Sequence, residues 1–322
     1  MKYVGIHTQQ AENNARSVLL LFLFPCLIVA LVYAFCYGMI YMNTPDGGVH
    51  PSEPSVTVQA NAMFIEAVPV ALLVVGIWFV IAYFANTSII NAATSSHSLS
   101  RMENKRIYNL VENLCMSVGM PMPKLQIIED NSLNAFASGI NRRTFTVTLS
   151  RGIIDKLNDE ELQGVIAHEL THIRNRDVRL MIVSIVFVGI FSMIAEIALR
   201  SVFYTPRRRD EKGGGGVVIL LAFVLAIVGF FFASLMRFAI SRKREYMADA
   251  GAAEMTKNPR ALASALRKIS GDPDIEAVTR DDVAQLFIEH PGKQAQGIFG
   301  GLQGLFATHP PIAKRIAVLE QF

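Results

Sequence analysis

The stretch from Asn158 to Ile173 reads NDEELQGVIAHELTHI. Asn158 followed three residues later by Glu161 is the pattern of a capping box, in which each side chain satisfies a backbone N–H that the helix start leaves bare. Leu162, Val165, Ile166, Leu170 and Ile173 then recur at helical spacing, which predicts a helix with one buried face. His168 and His172 stand four residues apart on it. That spacing puts both imidazoles on one helical face, within reach of a single ion. Neutral imidazole nitrogen suits zinc. Glu169 projects near the same face and can take a proton from a metal-bound water.

A catalytic zinc takes three protein ligands and keeps one position open. One large class of peptidases finds its third ligand in a histidine six residues after the second. Here that residue is Val178, so the third ligand lies elsewhere. The remaining histidines are His7, His50, His97, His290 and His309. Carboxylates are the alternative, and the run REYMAD from Arg244 to Asp249 is the best placed. Glu245 and Asp249 are four apart on one helical face, so one can bind the metal while the other orients a ligand histidine. On spacing alone, an exposed helix face beside Arg242 and Lys243 accounts for the run equally well.

Outward from this helix the chain becomes apolar. Of 322 residues 52% are hydrophobic and 18% charged, and the mean hydropathy is +0.35; soluble domains carry about 25% charged residues. That excludes a disordered tail and a coiled coil. Three cysteines, two of them in one apolar run, exclude a disulfide scaffold. A net charge of +3 is too mild for a nucleic-acid partner. Val18 to Met42 runs without a charge, longer than the roughly 7–15 apolar residues of a signal peptide, and reads as a retained membrane span that Pro25 can kink. A second span is expected over about 66–85, with Trp78 and Tyr83 suited to an interface. The connection from Asn43 to Ala62 has acids but no Lys or Arg, whereas Lys2, Arg16, Arg101, Lys105 and Arg106 flank the pair. The flanks therefore belong in the cytoplasm.

Two further apolar runs cover about 180–200, interrupted by Glu196, and 217–238. They are joined by a basic loop with Arg207, Arg208, Arg209 and Lys212 and then Gly213 to Gly216. Two full crossings conflict with the charge rule at that loop, and a hairpin that does not fully cross removes the conflict; two spans are the preferred expectation. The Asn158 helix is expected to run directly towards Leu180. Between the two apolar pairs, Leu125–Ile128 and Thr144–Leu149 read as short strands, with a third from Asn134 to Gly139. Gly292 to Gly304 reads as a mobile loop.

Four features in order make the chain resemble the HtpX-type membrane metallopeptidases, glutamate-liganded zincins related to the CAAX prenyl endopeptidases. They are Asn134 to Gly139 (NAFASG), HELTH followed by Asn175-Arg176-Asp177, Arg244 to Gly251 (REYMADAG), and Thr308 to Pro311 (THPP) before a helix with Arg315. The resemblance covers about residues 15–322. It implies a mainly α integral membrane protein with about four membrane helices. Residues 1–100 would form a membrane hairpin. Residues 101–322 would form a zincin-like α+β peptidase domain, interrupted by the second hairpin and holding a small sheet with a substrate-facing edge strand.

It also implies one Zn2+ per chain on His168, His172 and Glu245, with Asp249 and Asp177 in support. Asn134 and Ala135 would lie on the strand that faces the substrate. His309 would sit near the site, donating to the oxyanion or filling the open zinc position; Tyr246 is a weaker oxyanion candidate. Glu169 remains the general base. The implied function is hydrolysis of misfolded or damaged membrane proteins at the bacterial inner membrane, with the lipid bilayer as partner and a cytoplasmic active site. The alternatives are a CAAX-type processing protease, known versions of which carry more spans, and a non-catalytic membrane scaffold, which the intact HELTH disfavours.

Overall fold

A computed structural model describes residues 6–44, 54–180, 182, 242–270 and 310–322. The third apolar run past Ile182, the fourth run, the basic loop, the glycine-rich segment and His309 lie outside them. The described residues fall into two compact units, one holding 18–44 and 54–84, the other 6–17, 85–180, 182, 242–270 and 310–322.

The first unit consists of most of two long helices, α1 (Ile6–Asn43) and α2 (Val56–Thr94). Within them Leu21–Tyr41 has a mean hydropathy of 2.2 over 21 residues, and Val56–Ile81 one of 2.5 over 26. At about 1.5 Å per residue both are long enough to cross a hydrocarbon core of about 30 Å. Phe22, Leu73, Ile77, Val80 and Phe84 are exposed, a surface suited to lipid rather than water. Tyr33 and Phe64 meet edge to face at 5.3 Å. The second helix starts at Val56, inside the connection expected from sequence, and about ten residues before the expected span. Ser55 O accepts from the N–H groups of Val58 and Gln59, and the lone Glu66 does not interrupt the turn pattern.

The second unit carries a four-stranded mixed sheet in the order β1-β2-β4-β3. The strands are β1 (His97–Ser98), β2 (Lys124–Ile128), β3 (Ala135–Ser138) and β4 (Thr146–Ser150). β2 and β4 are parallel, Leu125 facing Val147 and Ile127 facing Leu149; β3 returns antiparallel to β4, Ala135 opposite Leu149. Among the described residues β3 is therefore an edge. The three strands legible in sequence are present within two residues of their expected ends, whereas β1 is too short to leave a pattern.

Among the described residues the unit also holds helices α3 (Lys105–Ser117), α4 (Arg151–Lys156), α5 (Asp159–Arg174), α6 (Arg242–Thr256), α7 (Pro259–Ile269) and α8 (Ile312–Leu319). α5 is central, packing on α3, α6, α7 and β3. Its capping box forms as the sequence indicates: Asn158 Oδ1 accepts from Glu161 N at 2.9 Å, and Glu161 Oε2 from Asn158 N at 3.0 Å. Acids fill its first turn and basic residues its last, complementing the helix dipole. Leu162, Val165, Ile166 and Leu170 are fully buried.

α5 does not run straight on towards Leu180. It ends at Arg174, Arg176 takes φ 62°, and helical residues resume at Asp177. Asn175 donates its N–H back to the carbonyls of Thr171 and Ile173. The break turns Asp177 back towards the last turn of α5.

Candidate metal centre

Two close approaches bring the helices together over His168 and His172. At Gly251 of α6, a Cβ would sit 2.4 Å from Thr171 Cγ2 on α5; at Gly164 of α5, one would sit 3.0 Å from the Leu262 backbone on α7. Real Cβ contacts do not close to 2.4 Å, so α6 lies where a glycine is required. Thr171 cannot turn aside freely, because its Oγ1 donates to Ala167 O at 2.7 Å.

This packing delivers Glu245 and Asp249 from α6 to the two histidines, and all four side chains are buried. His168 Nε2 and His172 Nε2 are 3.1 Å apart. Glu245 spans them, Oε2 lying 3.5 Å from His168 Nε2 and Oε1 3.5 Å from His172 Nε2. One ligand atom from each of His168, His172 and Glu245 thus lies within 4.8 Å of the other two. The outer ring nitrogens are held in the same manner: His168 Nδ1 is 3.0 Å from Asp249 Oδ1, and His172 Nδ1 is 3.0 Å from Asp177 Oδ2. A carboxylate accepting the Nδ1–H hydrogen bond keeps the proton on Nδ1 and leaves the Nε2 lone pair pointing inward, the state a metal ligand needs.

Each aspartate is backed by an arginine. Arg315 of α8 donates Nε to Asp249 Oδ2 at 2.9 Å and Nη2 to Oδ1 at 2.7 Å; Arg244 Nη1 lies 3.9 Å from Asp177 Oδ1. Glu169, Asp177, Glu245 and Asp249 are all buried with Arg244 and Arg315. With neutral imidazoles, the four carboxylates exceed the two guanidiniums by two charges. Two imidazoles and a carboxylate around such a deficit suit a divalent cation.

Burial alone would raise the Asp249 carboxyl, but the Arg315 charge and the bond to His168 hold it at about 2. Burial and the Arg315 charge oppose protonation of His168, yet Asp249 and Glu245 lift it to about 9. An entering cation must displace that proton. Arg315 is held above its ordinary range. Burial opposes its charge, but Asp249 outweighs that penalty, with help from Glu245 and Glu169.

Of the other residues singled out in the sequence, Glu169 is buried on α5 beside His168. Asn134 is fully buried where β3 begins: its N–H donates to Ser150 Oγ at 3.1 Å, and its Oδ1 accepts from Ala135 N at 2.9 Å. Ala135 opens the edge strand that packs on α5. Tyr246 is half-buried on α6. Among the alternative histidine ligands, His97 lies on the opposite edge strand, 3.6 Å from Glu129. Pro310 and Pro311 lead into α8, with Pro311 at its cap position. Thr171, Gly251 and the anchoring roles of Arg244 and Arg315 are not apparent from sequence spacing. The hints are that Arg244 and Gly251 fall in the same short motif as Glu245 and Asp249, and that Arg315 follows the THPP motif.

The family model for Peptidase family M48 matches residues 101–322. The Protease HtpX homolog of Bacteroides fragilis is 67% identical over the full length of both chains. That of Dictyoglomus thermophilum is 41% identical over 99% of this chain and 96% of its own, and that of Streptococcus gordonii 33% identical over 97% and 98%. The crystal structure of S. mikatae Ste24p is a distant likeness, with a TM-score of 0.45 and 18% identity, covering 80% of this chain and 58% of that one. The chain belongs to peptidase family M48 and is a membrane metallopeptidase.

Proposed function

We propose that the chain is a zinc endopeptidase of the inner membrane that cleaves misfolded or damaged membrane proteins from the cytoplasmic side. The observation that carries the metal assignment is the buried gathering of His168, His172 and Glu245, whose two Nε2 atoms lie 3.1 Å apart and each 3.5 Å from one of the two Glu245 carboxylate oxygens. Zinc bonds of about 2.0–2.1 Å at tetrahedral angles separate neighbouring donors by about 3.3–3.4 Å. His168, His172 and Glu245 would hold the ion, while Asp249 and Asp177 fix the two imidazoles. When bound, zinc supplies a Lewis acid for the scissile carbonyl and for water.

Glu169 takes the proton of the attacking water and passes it to the leaving amine. The edge position of β3 supports main-chain pairing of an extended peptide along this strand, at the mouth of which Asn134 and Ala135 would face the substrate. Such pairing reads backbone more than side chains, so cleavage would be loosely specific. His309 would serve the site either by donating to the oxyanion or by filling the open zinc position. The segment 1–100 would anchor the enzyme, and a second hairpin over about 180–200 and 217–238 would interrupt the peptidase domain of 101–322, giving four spans. The Lys and Arg on the flanks of the first pair support a cytoplasmic site.

The test is Glu169→Gln purified in detergent. Zinc content should stay at one per chain while casein cleavage falls by roughly 10²- to 10⁴-fold. Near wild-type cleavage would remove Glu169 from this role.

A further inference from the structure

We propose that Arg315 is a positioning residue of the metal centre, acting through Asp249 by the shape of its guanidinium rather than by its charge. Arg315 has no exposed surface and is among the largest fully buried side chains of the described residues. A buried guanidinium is tolerated only where it is paired and hydrogen-bonded. Its fork grips Asp249, Nε and Nη2 donating to the two carboxylate oxygens at 2.9 and 2.7 Å, and Nη2 also lies 3.4 Å from each ring nitrogen of His168. The oxygen that accepts from Nη2 is also the one 3.0 Å from His168 Nδ1. The carboxylate plane, and with it the direction in which His168 presents Nε2, is therefore set from α8. The third nitrogen, Nη1, lies 3.5 Å from Glu245 Oε2, so the same group flanks a second member of the donor set.

Charge alone argues the other way. A guanidinium this near a cation site repels the cation, so a purely electrostatic role would weaken metal binding. What the geometry favours is orientation, which a planar bidentate fork supplies and an ammonium does not. Arg315→Lys separates the two, because it keeps the charge and loses the fork. The inference rests on His168, His172 and Glu245 holding the metal.

The experiment follows zinc release from the full chain in detergent to a chromophoric chelator, with kcat and KM measured on a peptide. Arg315→Lys should release zinc roughly 10- to 100-fold faster, the usual effect of losing a partner behind a metal ligand, with kcat lowered and KM held. In an Asp249→Asn background, Arg315→Lys should add nothing. Wild-type release from Arg315→Lys overturns the inference, as does an undiminished effect without the Asp249 carboxylate. If Arg315→Lys does not fold, Asp249→Glu, which keeps the charge and displaces the carboxylate, should speed release comparably; unchanged release then overturns it. His172→Ala is the control: if it keeps wild-type zinc retention, the metal assignment itself falls, whereas loss of zinc there beside an unaffected Arg315→Lys removes only the role of Arg315.

Discussion

Gly251→Ala tests whether the approach of α6 to α5 sets the metal centre. The new methyl would lie 2.4 Å from Thr171 Cγ2 and 2.8 Å from Thr171 Oγ1. Carbon atoms settle at about 3.5–4.0 Å, so the helices must part by about 1 Å or more. Thr171 gives little, since its hydroxyl is bonded within its own helix. Overpacking of this kind costs about 1–3 kcal/mol, and each kcal/mol shifts Tm by about 2–4 °C for a unit of this size. The same displacement moves Glu245 against the imidazoles, whose donor spacing is 3.1–3.5 Å, so zinc retention should fall together with Tm. Thr171→Ala removes both clashing atoms and leaves Thr171 Cβ at 3.2 Å. The double variant Gly251→Ala/Thr171→Ala should recover most of both losses. Thermal unfolding and metal content of the four proteins in detergent complete the cycle. Wild-type Tm and zinc in Gly251→Ala, or a double variant no better than Gly251→Ala alone, would refute the claim that this contact places Glu245.

Further outcomes follow from the surrounding groups. Asp177→Asn should weaken zinc binding by roughly 10- to 100-fold through His172, measured by competition with a chelator. Glu161 is held below the ordinary glutamate range: burial opposes this, but Lys268, Ser264 and the Asn158 N–H bond its ionised form. A carboxyl depressed in the folded state contributes stability above its unfolded pKa of about 4.3 and loses it as pH falls through the lower folded value. Unfolding midpoints from roughly pH 6 to pH 3 should therefore fall less steeply in Glu161→Gln than in wild type. Arg106 donates to the carbonyls of Ile154 and Leu157 at 2.9 Å each. Arg106→Met should lower Tm by removing these partners where α4 meets α5, with zinc content unchanged.

The sequence exposes local features of this architecture and hides long-range ones. Asn158, Glu161, His168 and His172 lie within one helix, so capping and one-turn spacing suffice to locate them. Glu245 is 73 residues beyond His172, and nothing local separates a ligand from an exposed acid beside Arg242 and Lys243; the resemblance had to supply its role. Asp177 reaches His172 only because the chain turns at Asn175 and Arg176, a positive-φ break that helical periodicity does not reveal. Arg315 lies on a short C-terminal helix whose pattern says nothing of the aspartate it grips on α6. The start of α2 at Val56 was obscured because hydropathy marks where lipid can sit rather than where a helix begins.

The most direct measurement is the metal content of purified wild type beside Glu245→Ala, by elemental analysis under conditions that remove loosely held ions. The expected result is one zinc per chain in wild type and a large loss in Glu245→Ala, with the protein still folded. Full zinc stoichiometry in Glu245→Ala would contradict a centre built by α5 and α6 together.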